Sequence, residues 1–141
     1  MRMHLLLIPL VGLLAAADDL PKGLKTFQGS WTLSALVVEG KAIPEADLKK
    51  SKLTITGEKY TFTDGAKTSG GIYKVDPAKK PAQLDIVITK GADKGKTLLA
   101  IYERTGDTLK ICLSFKGTRP TAFASEPKSG TVLETWTKST K

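Results

Sequence analysis

Along 27–39 the side chains change polarity at nearly every residue, so that Gly29, Trp31, Leu33, Ala35 and Val37 fall on one face while Ser30, Thr32 and Ser34 fall on the other. A period of two belongs to a half-buried β-strand. The alternation returns at Leu53 and Ile55 among threonines, at Tyr60 and Phe62 between Thr61 and Thr63, and along Leu84, Ile86 and Ile88. With further segments at 70–75, 97–104, 109–115 and 131–138, the spacing predicts eight main strands. Gly57-Glu58-Lys59, Asp64-Gly65 and Thr105-Gly106-Asp107 suit tight reversals, and Gly70-Gly71 permits the bend that a closing sheet requires. One helical element of one or two turns is expected over 42–50, where Pro44 stands near a first helical position with Glu45 and Asp47 early and Lys49 and Lys50 late. The longest connection is 116–130.

Consecutive strands with short connections predict an all-β chain closed into an antiparallel barrel of about eight strands, with the short helix after the first strand. At that number the interior is filled by side chains or holds one small ligand, and closure removes the exposed sheet edges. A β-sandwich is the competing arrangement. It usually needs Greek-key crossings, which such short connections hinder.

The first residues predict an export signal: Arg2, then ten largely apolar residues over 5–14, then Ala15-Ala16-Ala17 as the small-residue cleavage site. Ten residues are half of the ~20 that a membrane-crossing helix needs. No cysteine stands directly after the apolar run, which argues against a lipoprotein. The expected organisation is a signal peptide over 1–17, a linker over 18–26 and one barrel domain over 27–138, exported to the periplasm or the exterior, with no transmembrane segment in the mature chain.

Export bears on charge and on the single cysteine. Without Arg2, 21 of the 22 basic residues face 14 acids, a net charge of +7. Nineteen of the basic residues are lysines, scattered as Lys49-Lys50-Lys52, Lys79-Lys80 and Lys90, Lys94, Lys96, and only Arg104 and Arg119 remain to form planar forks on bases or phosphates. A solvated surface is the reading, with no specific nucleic acid. An envelope protein or an anionic polymer is the electrostatic partner that fits. Cys112 has no partner for a disulfide; by parity it stands opposite Leu109, Ile111 and Leu113, as an inert structural thiol.

Histidine limits the chemistry. The only one, His4, lies in the predicted signal, which leaves no imidazole for a Ser-His-Asp or Cys-His arrangement or for a zinc site. Gly91-Ala92-Asp93-Lys94-Gly95-Lys96-Thr97 has three residues between its first glycine and Gly-Lys-Thr where a phosphate loop has four, and it joins two strands. Asp64, Asp85, Glu103, Asp107 and Glu134 lie in or beside strands, and nothing in their spacing selects an acid/base pair. They read as solvated surface charges. No catalytic residue, metal ligand or cofactor is predicted. The aromatic residues read first as barrel filling, while Tyr73 and Tyr102 are candidates for ligand contact because a buried hydroxyl needs a partner.

In order along the chain stand Gly29-Ser30-Trp31, Pro44-Glu45, Gly57-Glu58-Lys59-Tyr60, Asp76-Pro77, Lys79-Lys80-Pro81, Gly95-Lys96-Thr97-Leu98-Leu99, Gly106-Asp107-Thr108-Leu109, Cys112 and Arg119-Pro120-Thr121. As a set they resemble a family of small exported domains of unknown function found mainly in planctomycete bacteria, across nearly the whole predicted mature chain. The resemblance implies a lipocalin-like barrel and brings no established activity. Gly29-x-Trp31 is also similar to the opening of true lipocalins, which implies a tryptophan near the closed end with a late basic residue across its ring; Arg119 is the candidate.

The functional expectation is an exported, non-enzymatic lipocalin-like binding module for a small, partly apolar or anionic ligand. Its pocket would be about 300 Å³ or more, with Tyr73, Tyr102 and Arg119 as candidate contacts. The alternative is a packed structural or interaction domain that meets an envelope protein or an anionic polymer through its lysine-rich loops.

Overall fold

The computed structural model describes residues 20–139. The predicted signal over 1–17, and His4 with it, lie outside the described residues, as do Asp18 and Asp19. The strands are β1 (Gly29–Val38), β2 (Lys41–Ala42), β3 (Ser51–Thr56), β4 (Lys59–Asp64), β5 (Lys67–Asp76), β6 (Ala82–Lys90), β7 (Thr97–Thr105), β8 (Thr108–Ser114) and β9 (Thr131–Lys138). From β3 to β9 each pairs antiparallel with the next. β1 closes the sheet: Gly29–Thr32 pair with β3, while Trp31–Val38 pair with β9. The all-β reading and the eight-stranded antiparallel barrel hold, with β2 as a two-residue addition beside the end of β1.

Two register shifts shape the wall. One lies between Gly70 and Gly71 on β5, where a Cβ on Gly71 would stand 1.9 Å from the Val87 carbonyl oxygen, so the strands approach as only a glycine allows. The other lies between Leu33 and Ala35 on β1 and corrects the uninterrupted alternation expected there. Trp31 and Leu33 are buried, Ser34 and Ala35 are both exposed, and Leu36 packs against the core in place of Ala35. An extra residue in one strand turns every later side chain to the opposite face.

The helical element over 42–50 is a single 3-10 turn, Glu45–Leu48, whose Leu48 is buried. A second 3-10 turn, Leu24–Phe27, occupies the end of the expected linker and the first expected strand residue. Its Leu24 and Phe27 are fully buried, so this segment closes one end of the barrel. Gln28 clamps it: the side-chain amide donates to the Leu24 and Gly57 carbonyls at 3.0 and 2.8 Å and accepts from the Gly57 N–H at 2.8 Å. Trp31 lies immediately inside, fully buried, and its indole N–H donates to the Phe27 carbonyl at 2.8 Å.

The strand directions place the Gly57-Glu58, 77–81 and Gly106-Asp107 turns at this closed end. The opposite end carries 39–50, Gly65-Ala66, 91–96 and 115–130. Inward residues of every long strand form one core, including Trp31, Leu53, Ile55, Leu84, Leu109, Ile111 and Trp136. Ile101 and Cys112 are buried but stand apart from that core. They face each other across β7 and β8 on the outer wall, and the thiol donates to the Ala124 carbonyl at 3.4 Å. The long connection therefore lies over them as a cover.

Candidate functional site

The interior is not packed solid. Toward the end opposite Trp31 lies a cavity of about 260 Å³, lined mainly by apolar and aromatic side chains. β4 brings Tyr60 and Phe62, β5 brings Tyr73, and β9 brings Val132, Glu134 and Trp136, all on inward parity. Asp93 from the 91–96 loop and Phe115 border it, the latter 52% exposed. A second recess of about 210 Å³ shares Phe62, Ser69, Ile88 and Asp93 with the first and extends it along the rim. The main volume is just below the ~300 Å³ at which pockets for drug-sized ligands begin. It suits a smaller molecule.

The polar groups inside are few. Tyr60 and Tyr73 are stacked with ring centroids 4.6 Å apart, and Phe62 meets Trp136 edge to face at 6.0 Å. Between these rings stands Glu134, whose Oε1 accepts the Trp136 indole N–H at 2.9 Å. Its Oε2 accepts no hydrogen bond from the described residues. Because no buried side-chain oxygen or nitrogen among them lacks a partner, that oxygen is reached from the cavity. Burial raises the Glu134 carboxyl to about 7, only partly offset by the Trp136 hydrogen bond. Burial, with Glu134 and Asp93 adding to it, pushes the Tyr60 phenol up to about 12; burial and then Glu134 hold Tyr73 well above its ordinary range.

A carboxyl with an ionisation displaced by burial inside an apolar cleft is a marker of function. Its exposure and its desolvation point in different directions at first sight, since Glu134 is only half-buried. They agree once the exposed atoms are seen to face a cavity walled by protein. The reading of Glu134 as a solvated surface charge is thereby corrected. The signal that locates it is parity: Glu134 is two residues from Trp136 and two from Val132, so an inward tryptophan puts all three inside.

The candidate contacts are separated by the fold. Tyr73 lines the cavity. Tyr102 does not; it packs against Phe27 near the closed end, with ring centroids 4.7 Å apart. Arg119 is neither in the cavity nor over the tryptophan. It is held on the wall by Asp85 at 2.8 Å and by the Leu84 and Ala100 carbonyls at 3.2 and 2.9 Å. The cations at Trp31 are Arg104 and Lys138, at 5.0 and 5.1 Å from the ring centroid. Strand ends explain the exchange: Arg104 and Lys138 close β7 and β9 beside Trp31, whereas Arg119 lies on the open-end connection.

Both charged residues of the cavity lining, Asp93 and Glu134, are acidic. The lining does not suit the anionic ligand expected as one alternative. Asp93 is turned to the rim, where its carboxylate pairs with the exposed Lys96 at 3.2 Å. Among the described residues no three His, Cys, Asp or Glu side chains gather into a metal-holding group. Nor does any helix there have the length and apolarity to cross a membrane. Comparison of the chain with protein-family models, with curated proteins and with solved structures finds no match.

Proposed function

We propose that this chain is an exported, non-enzymatic, lipocalin-like binding module that takes one small, largely apolar molecule bearing a polar group into its barrel. The observation that carries the reading is the 260 Å³ cavity, in which aromatic rings surround one carboxyl oxygen left without a hydrogen-bond partner among the described residues. Apolar walls supply binding free energy by removing surface from water, and a few placed polar atoms supply orientation. Glycoside hydrolysis by carboxyl groups alone requires two of them facing one substrate, and Asp93, paired with Lys96 at the rim, is turned away from that role.

The alternative of an interaction domain that works through its surface is supported by exposed lysines at 49, 50, 52, 79, 80, 90, 94 and 96. Such a role gives no reason to leave space inside. Narrowing the cavity separates the two readings. Val132→Trp adds bulk at a half-buried lining position on β9. The unaltered protein, purified from its own host, is expected to carry a copurifying small molecule in native mass spectrometry and to bind an apolar, neutral, environment-sensitive dye. The variant is expected to lose the molecule and to bind the dye about tenfold more weakly or worse. Equal dye binding by both, or none by either, overturns the binding reading. Salt-sensitive retention on envelope fractions, unchanged in the variant, would then favour the surface role.

A further inference from the structure

The net charge of the chain and the charge of its cavity have opposite signs. The protein is strongly basic, yet among the described residues no lysine or arginine lines the main cavity, whose charged residues are Glu134 inside and Asp93 at the rim; Lys67 and Asp64 border only the recess along the rim. Glu134 Oε1 is held by the Trp136 indole, while Oε2 is reached from the cavity. A buried carboxylate with one neutral donor and no cation is costly, and a ligand that brings a positive charge offsets that cost. The rings around it, Tyr60, Phe62, Tyr73 and Trp136, are of the type whose faces attract ammonium groups, and that attraction strengthens away from water.

Resting on the binding-module reading, we infer that the cavity selects small organic cations: an ammonium ion with an apolar body, its charge set between Glu134 Oε2 and the surrounding aromatic rings. A free carboxylate or phosphate is rejected by the same oxygen. A neutral alcohol of equal size fits the walls but leaves the charge uncompensated, so it binds more weakly.

The groups around Glu134 determine how selection varies with pH. They are Tyr60 on β4, Tyr73 on β5, Trp136 beside it on β9 and Asp93 on the 91–96 loop, with Cys112 behind the wall on β8. The two phenols and the burial-raised thiol stay neutral across the neutral range. Glu134 is the inward group that ionises there, so ammonium binding tightens as pH rises through about 7.

The test uses the full chain and three probes of one shape: 2-phenylethylammonium, 2-phenylethanol and 3-phenylpropanoate. Binding is followed by calorimetry and by tryptophan fluorescence, since Trp136 borders the cavity. At pH 8.5 the ammonium probe is expected to bind on the order of 30-fold more tightly than the alcohol, with the propanoate weakest. Glu134→Gln keeps an acceptor for Trp136 and is expected to bring the ammonium down to the affinity of the alcohol, while the alcohol itself changes by less than about threefold. Between pH 5.5 and 8.5 the ammonium affinity is expected to rise in the parent and stay flat in the variant. Equal binding of ammonium and alcohol, or a preference that survives Glu134→Gln, overturns the cation assignment. So does failure of all three probes in a protein whose neutral dye is displaced by Val132→Trp, and in each of these cases the binding-module reading stands. Failure of the probes together with dye binding indifferent to Val132→Trp overturns both.

Discussion

Trp136 donates its indole N–H to the carboxyl of Glu134, two residues earlier on the same inward face of β9, at 2.9 Å. One strand thus supplies both the charged group of the cavity and the group that orients it. Leu36 faces Glu134 across the closing seam between β1 and β9, so the carboxyl stands where the last strand meets the first.

Glu134 makes stability fall as pH rises. Its carboxyl is raised from 4.5 to about 7 in the folded state, so the folded protein holds this proton more tightly than the unfolded chain does. The contribution is fully present below about 4.5 and is lost progressively as pH climbs through about 7, at a total on the order of 3 kcal/mol. Glu134→Gln is expected to remove that slope and to be more stable than the parent at pH 8. Urea unfolding at pH 5 and 8 for both proteins checks it; a parallel pH dependence in the variant contradicts the assignment.

Arg104, and not Arg119, supports the closed end. Besides lying over Trp31, Arg104 donates to the Gly106 carbonyl at 2.6 Å and to the Thr26 carbonyl, tying β7 to the entering chain. Arg104→Met should cost about 1–2 kcal/mol, and a double-mutant cycle with Trp31→Phe should show coupling of at least about 0.5 kcal/mol. The equivalent cycle between Arg119 and Trp31 should show none. Coupling to Arg119 in place of Arg104 would contradict the placement.

Gly71→Ala is expected to cost more than about 3 kcal/mol or to prevent folding, because its methyl would sit 1.9 Å from a backbone oxygen of the adjoining strand, which cannot move without breaking the ladder. Gly95→Ala meets no atom within 4 Å and carries only the strain of a positive φ, about 1–2 kcal/mol. Thermal unfolding of the two variants should rank them in that order.

The Cys112 thiol should be inert in the folded protein. Burial raises its ionisation, its S–H donates to the Ala124 carbonyl, and the 116–130 connection covers it. Maleimide labelling at pH 7.5 is expected to be at least about a hundredfold slower in buffer than in denaturant, because only the thiolate reacts and access requires opening. Labelling at the unfolded rate would show that the cover is not in place.

The strands, their turns and their antiparallel order were legible because each depends on neighbours in sequence: Tyr60 and Phe62 alternate with threonines, and Asp64-Gly65 reverses the chain whatever the rest does. Cys112 opposite Leu113 is local in the same way. The first 3-10 turn was not legible, because Leu24 and Phe27 carry no periodic pattern and acquire their role only when a barrel end is there to cover. Glu134 looked like a surface charge because it stands between Leu133 and Thr135 on a strand that carries polar residues on both faces.

Alternation along the chain by itself determined that this protein makes two-faced strands in succession, and that eight of them can close. Which residues face the interior was decided by tertiary pairing. The shift at Ser34 turns Leu36 inward in place of Ala35, and the pairing of β1 with β9 sets Leu36 opposite Glu134, nearly a hundred residues away in sequence. Local sequence specifies that a strand has two sides; only the register of partners distant along the chain, fixed when the sheet closes, specifies which side becomes the cavity.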